Sequence, residues 1–168
     1  AGPIVADPPI EAAHAQAPAG AIAEAGLAAR TLVEKISGRI ADRDGAALVI
    51  DYGPLASGVG DTLQAVRQHR KADPLDEPGE SDLTAHVDFA ALARVARAAG
   101  ADAYGPVPQG VFLQRLGYAA RAATLLGRAS PRQARDIEVA SQRLIGDAGM
   151  GTLFKALAIR RRGARIRG

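Results

Sequence analysis

Two stretches of this 168-residue chain gather side chains able to do chemistry. The first is Ala46-Ala47-Leu48-Val49-Ile50-Asp51-Tyr52-Gly53, an apolar run of strand length ending in a carboxylate, a phenol and a glycine. The second is Asp82-Leu83-Thr84-Ala85-His86-Val87-Asp88, in which Asp82, Thr84, His86 and Asp88 alternate with apolar residues. An unbroken apolar run reads as a strand buried on both faces, at the centre of a parallel sheet. Ligands of open α/β sheets bind beyond the carboxyl ends of the strands, which is where Asp51, Tyr52 and Gly53 fall. The second stretch is expected to fold back over that point.

Each of these residues also has a simpler duty open to it. Asp51 either orients a ligand or caps the next turn. Tyr52 either lines a pocket or packs with a wet hydroxyl. Thr84 suits a local turn bond, and Asp88 suits a helix N-cap. His86 is either a proton acceptor or a solvent-facing ring.

Several elements must position these residues. Between residues 27 and 43, Leu32, Val33, Ile36 and Ile40 recur at helical spacing, with Arg30, Glu34, Lys35 and Arg39 on the other face. Asp44-Gly45 ends that helix as a turn, and the strand at residues 46–52 follows. From Gly53 to Val87 the chain reads as a long, mostly irregular excursion, with residues 62–70 ambiguous between strand and helix. Loops of that length in a compact domain are usually functional or disordered, and this one leaves the tip of the strand.

A helix at residues 89–99 is expected behind Asp88, with Phe89, Leu92, Val95, Ala96 and Ala99 inward and Gly100 closing it. Residues 101–107 read as a strand, 111–116 and 118–126 as helices, and Ser130-Pro131 opens a helix to about Ile145 with Ile137, Ala140 and Leu144 inward. Gly146 to Gly151 reads as a turn. Residues 152–160, apolar on both faces, read as a strand inside a sheet. Near the start, residues 21–24 suggest an edge strand and Pro3 to Ala6 the end of another, in a Pro-rich phrase that is expected to continue upstream of Ala1.

Composition narrows the function classes. There is no cysteine, which removes a disulfide framework, a thiolate metal site and a cysteine nucleophile. Three scattered histidines make no ligand spacing for a metal. No Gly-x-Ser-x-Gly elbow occurs, and Gly58-Val59-Gly60 lacks the third glycine of a dinucleotide fingerprint. His69, among Arg67, Arg70 and Lys71, reads as part of a solvated face. Aromatic residues are only 4%, so the core must be built from Ala, Val, Leu and Ile. No apolar segment approaches the ~20 residues of a membrane span, and the chain is expected to be soluble. Net charge is +3, but Arg160, Arg161, Arg162, Arg165 and Arg167 crowd the end, and without them the balance is slightly acidic. The body therefore makes no case for nucleic acid. The arginine run reads as a disordered tail, with nucleic-acid contact as its rival.

Several phrases are familiar in combination. Asp61-Thr62-Leu63-Gln64-Ala65, Asp73-Pro74-Leu75, Pro78-Gly79 and Asp82 to Phe89, then Gln109-Gly110-Val111-Phe112-Leu113, Leu116-Gly117 and Met150-Gly151-Thr152-Leu153-Phe154-Lys155, occur in that order. From about Gly45 to Ile159 the chain resembles the MidA-like family of class I S-adenosylmethionine-dependent methyltransferases, which includes a protein-arginine methyltransferase of mitochondrial complex I assembly. The resemblance implies an α/β fold, the C-terminal half of a Rossmann-like sheet. Residues 46–52 and 101–107 would be its fifth and sixth strands, and residues 152–160 an antiparallel seventh between them.

It also implies three segments: an upstream linker at 1–20, the C-terminal part of the methyltransferase domain at 21–160, and a basic tail at 161–168. The family's cofactor loops would lie upstream, so none of the main S-adenosylmethionine-binding motifs is expected in this chain, which alone should be inactive. Methyl transfer to guanidinium needs the acceptor oriented and a proton removed, and carboxylates suit both tasks. On this reading Asp51 and His86 are the catalytic candidates, and Tyr52, Gly53, Asp82, Thr84 and Asp88 bind substrate. The implied partner is a protein, with a complex I subunit as candidate, and self-association stays open. The implied setting is the bacterial cytoplasm, alongside mitochondrial relatives. The rival reading is a non-catalytic fragment that docks through an open sheet edge.

Overall fold

Apolar spacing and caps set most of the elements. The computed structural model describes residue 14 and residues 17–77 and 79–163. In chain order these form α1 (Leu27–Arg43), β1 (Ala46–Tyr52), β2 (Gln64–Arg67), β3 (Arg70–Ala72), β4 (Asp82–Thr84), α2 (Phe89–Ala98), β5 (Ala101–Pro108), α3 (Gln109–Arg115), α4 (Tyr118–Leu126), α5 (Pro131–Ile145), α6 (Met150–Leu153) and β6 (Phe154–Arg161). The fold is mixed α/β, with two antiparallel three-stranded sheets.

The main sheet has the order β1-β6-β5, and β6 runs antiparallel to both neighbours. On one face, α1 and α2 pack against it. Val33 and Ile40 of α1 and Phe89, Leu92, Ala93 and Ala96 of α2 meet Ala101, Ala103, Leu157 and Ile159 of the sheet. Phe89, Leu157 and Ile159 are essentially inaccessible, and burial of side chains this size contributes about 1.5–3 kcal/mol each. The many alanines let the helices sit close to the strands, which is how so few aromatic residues suffice. The β5–β6 ladder breaks between Tyr104 and Val107. There Gly105 has φ +100°, and a Cβ on it would stand 2.7 Å from the Ala156 carbonyl oxygen.

Several expectations need correction. β1 is not the central strand of a parallel sheet: among the described residues it pairs only with β6, antiparallel. Ala47 and Val49 pack on the core, but Leu48 and Ile50 on the other face are 51% and 42% exposed. The run is apolar enough for two covered faces, and this chain covers one. Residues 21–24 form no strand, and Glu24 instead spends its carboxylate on a loop clamp described below. The excursion after Gly53 is mostly irregular, as expected, but residues 64–67, 70–72 and 82–84 within it pair into a sheet of order β3-β2-β4, so the ambiguous 62–70 stretch is strand and turn. Leu32 is 59% exposed, because the buried line of α1 runs through Val33, Ser37 and Ile40, and Leu32 lies on its flank. Ala140 is exposed, and no residue of α5 is fully buried. The turn before the last strand ends early, since residues 150–153 wind into α6 before β6 begins at Phe154.

Other expectations match. Asp88 caps α2, its carboxylate accepting from the Ala91 amide at 2.9 Å. Ser130 and Gln133 form a reciprocal capping box at the start of α5. The arginine run departs from expectation at its start: Arg160 and Arg161 are the last residues of β6, paired with β5, and not part of a disordered tail. The Pro3–Ala6 segment, most of the Pro-rich phrase and residues 164–168 lie outside the described residues. Among the described residues no helix is long and apolar enough to cross a membrane.

Candidate active site

The tip of β1 is gripped from two sides. The Tyr52 ring meets the His86 ring edge-on, with centroids 5.6 Å apart and planes at 84°, and meets Phe154 at 5.6 Å and 62°. The Tyr52 carbonyl accepts from the Val87 amide at 3.0 Å, and the Gly53 amide donates to the Leu153 carbonyl at 3.3 Å. A Cβ at Gly53 would lie 2.2 Å from the Val87 carbonyl oxygen. Glycine is therefore what lets residues 86–88 press against the strand end.

A carboxylate far upstream holds the excursion in place. Glu24 accepts from the amides of Thr62 (2.8 Å) and Leu63 (3.1 Å) and from the Thr62 hydroxyl. The Thr62 hydroxyl oxygen in turn accepts from the His86 amide at 2.9 Å. Bonds to an ionised acceptor are the strong kind, so Glu24, Thr62 and His86 behave as one joint between three separate segments. Residues 57 and 58 are tied as well. Ser57 donates to Asp88 at 2.9 Å and accepts from Arg94 at 3.0 Å, and His14 Nε2 donates to the Gly58 carbonyl at 2.8 Å.

Two adjoining clefts open around this joint, of about 210 and 380 Å³, and both are lined by Glu24, His86 and Asp88. Residues 54–60 wall the smaller, and Ala29, Leu63 and Leu92 wall the larger. The Asp88 bonds to Ala91 and Ser57 both fall on Oδ1, which leaves Oδ2 without a hydrogen bond among the described residues. The His86 ring makes an aromatic contact and no hydrogen bond among the described residues. A cleft with one such carboxylate oxygen, a second carboxylate fixed nearby and an unengaged imidazole can hold a cationic group and take a proton from it.

The sequence candidates separate into two groups. Tyr52, Gly53, His86 and Asp88 come together. Asp51 stands one residue back, its carboxylate accepting from the Tyr52 amide at 2.8 Å, and it lines neither cleft. Asp82 and Thr84 lie in β4, opposite Val66 and Gln64, and also line neither. Across the ladder from Asp51 is Lys155, buried at 7% exposure. Its ammonium donates to the Thr152 and Leu153 carbonyls at 2.5 and 3.0 Å, and burial holds its pKa below the usual lysine value. Lys155 thus ties the end of α6 to the same carbonyl that receives Gly53.

Sequence reasoning missed Glu24, Ser57, Thr62 and Lys155. One signal was available for Glu24: it is the only carboxylate between Glu11 and Glu34, in a stretch of Ala, Gly and Pro. Among the described residues no group of acidic and histidine side chains is placed to hold a metal ion.

Comparison with known proteins adds the following. Residues 6–107 match a family model described as "Putative S-adenosyl-L-methionine-dependent methyltransferase". The chain is 44% identical over 120 residues to a Drosophila melanogaster homolog of the mitochondrial protein arginine methyltransferase NDUFAF7, covering 70% of this chain and 27% of that one. It is 36% identical over 132 residues to the Homo sapiens protein of that name, covering 78% and 30%. Among solved structures, an uncharacterized Burkholderia thailandensis protein superposes with a TM-score of 0.70 at 33% identity, covering 85% of this chain and 41% of that one. A second Burkholderia thailandensis structure, bound to S-adenosyl-homocysteine, matches equally well over 40% of its length. The chain spans under a third of the length of these curated relatives.

Proposed function

Since the chain belongs to this S-adenosyl-L-methionine-dependent methyltransferase family, we propose that it is the C-terminal part of a methyltransferase domain and supplies the acceptor side of methyl transfer to a protein arginine. The order β1-β6-β5, with an antiparallel middle strand, supports reading it as the fifth, seventh and sixth strands of a Rossmann-like sheet, carried by residues 21–160. The observation that carries the proposal is the pair of clefts beside the tip of β1, lined by His86 and Asp88, with the His86 ring set edge-on against Tyr52.

S-adenosylmethionine, held by the length of the relatives that this chain does not span, supplies the methyl group. In this chain, Asp88 Oδ2 accepts from the guanidinium and fixes which nitrogen is presented. A His86 ring nitrogen takes the proton that the attacking nitrogen must lose. Tyr52 holds the His86 ring through their edge-on contact, Gly53 lets residues 86–88 close on the strand tip, and Asp51 holds the backbone of the tip through the Tyr52 amide. Asp82 and Thr84 extend the acceptor surface along β4. The arginine-methyltransferase names of the relatives support guanidinium as acceptor, and a subunit of a respiratory complex is the candidate partner.

The test uses the chain alone and a version extended to the length of the solved relatives. Calorimetry on the 168 residues should show weak S-adenosylmethionine binding or none, and micromolar binding would overturn the division of labour. In the extended version, His86→Ala and Asp88→Asn should each slow methyl transfer about 100-fold, the usual size of a lost acid–base or orienting group, with cofactor affinity nearly unchanged. Full activity in both variants would remove the cleft from the reaction. A second reading, a non-catalytic fragment docking through its sheet, is favoured by the unpaired side of β1 and the exposed Leu48 and Ile50.

A further inference from the structure

The helical unit α3–α5 carries a surface that shares no residue with the clefts at the tip of β1. α4 and α5 are both amphipathic, yet neither has a fully buried residue. Their apolar sides end in grooves instead of a core. One, of about 540 Å³, runs between them over Leu125 and Ile137. The other, of about 580 Å³, runs along the far flank of α5 over Val139 and Leu144. Asp136 borders both. Leu125, Leu126 and Val139 are 41%, 39% and 66% exposed, so the stripe is open to solvent.

The rim is basic. Between residues 109 and 145 there are six arginines, at 115, 121, 128, 132, 135 and 143, against two carboxylates, Asp136 and Glu138. None of the six is held by a carboxylate among the described residues. Unpaired guanidinium groups around an apolar floor are complementary to a partner that is apolar on one side and anionic on the other. We infer that the groove between α4 and α5 docks an acidic amphipathic helix of a partner protein. A helix laid in a groove anchors through residues at i, i+3, i+4 and i+7, and its carboxylates meet Arg121 and Arg128 at the rim. Nucleic acid fits less well, because phosphate contacts call for cations and leave an apolar concave floor unused. This docking is independent of the methyl-transfer reading and would survive its failure.

The probe is a labelled synthetic helical peptide with leucines at i, i+3, i+4 and i+7 and glutamates elsewhere, titrated with the 168-residue chain by fluorescence anisotropy. Micromolar binding is expected, weakened about 10-fold or more by Arg121→Glu with Arg128→Glu and to a similar extent by Leu125→Ser. These side chains are exposed, and circular dichroism checks that the fold is kept. Four results would overturn the inference: no binding; equal binding of a scrambled peptide of the same composition; binding of anionic vesicles or a DNA duplex in place of the peptide; or loss of peptide binding in a version extended to the length of the solved relatives, which would mean that the protein fills the groove itself.

Discussion

At Gly53 one methyl group is enough to test the site. Its Cβ would sit 2.2 Å from a backbone oxygen that belongs to the segment carrying His86 and Asp88, and backbone gives way less easily than a side-chain tip. Gly53→Ala should therefore destabilise the protein by about 1–3 kcal/mol, the usual range for overpacking, measured by urea unfolding followed with circular dichroism. An unchanged midpoint would mean that residues 86–88 are not pressed on the strand. The need for small residues here was not visible in the sequence. Asp51-Tyr52-Gly53 reads as a carboxylate, a phenol and a glycine at a strand tip, with Gly53 among the substrate-binding candidates. Its partner, Val87, is more than thirty residues away, and no local pattern encodes that distance. The same applies to Glu24, whose three donors come from residues 62 and 63. An isolated carboxylate in an alanine-rich stretch announces a demand for partners and does not say which.

Capped helices and long apolar strands were legible, and the short strands β2, β3 and β4, defined by pairing alone, were not. Ser130-Pro131 names the first turn of α5 because side-chain oxygen and fixed φ act within four residues. Ser130→Ala should cost about 1 kcal/mol locally. Since α5 buries no residue completely, the loss should appear as about fivefold faster hydrogen exchange of the amides that open the helix, with little change in the global unfolding midpoint. A midpoint shift of the full amount would show that α5 unfolds with the main sheet. The β2–β3 hairpin is the opposite case. Its turn residues Gln68 and His69 both have positive φ, at 50° and 62°, the conformation of a two-residue turn that normally uses Asn-Gly. With neither residue of the usual type, residues 62–70 carried no turn signal, and pairing of Ala65 with Ala72 and Leu83 decided the structure.

For the molecule as a whole, the decisive feature is that, among the described residues, one face of the main sheet is layered and the other, at β1, is not. An unpaired strand side next to exposed Leu48 and Ile50 is prone to association. The 168-residue chain should therefore gain mass with concentration in size-exclusion chromatography with light scattering, and Leu48→Lys with Ile50→Lys should return it to a monomer. A monomer at every concentration without those changes would show that the row does not self-associate, and would weaken the docking-fragment reading as well.

Sequence alone determined five of the six helices, the three strands of the main sheet to within a few residues, the cap at Asp88 and the family resemblance, because apolar period, capping chemistry and motif order are all carried by residues near one another in the chain. It also singled out His86 and Asp88 as candidates. Tertiary structure decided which candidates share a cleft, which carboxylate clamps the excursion, and which face of β1 stays bare. Those depend on contacts between segments tens of residues apart, where geometry is set by packing of the whole and not by any local preference.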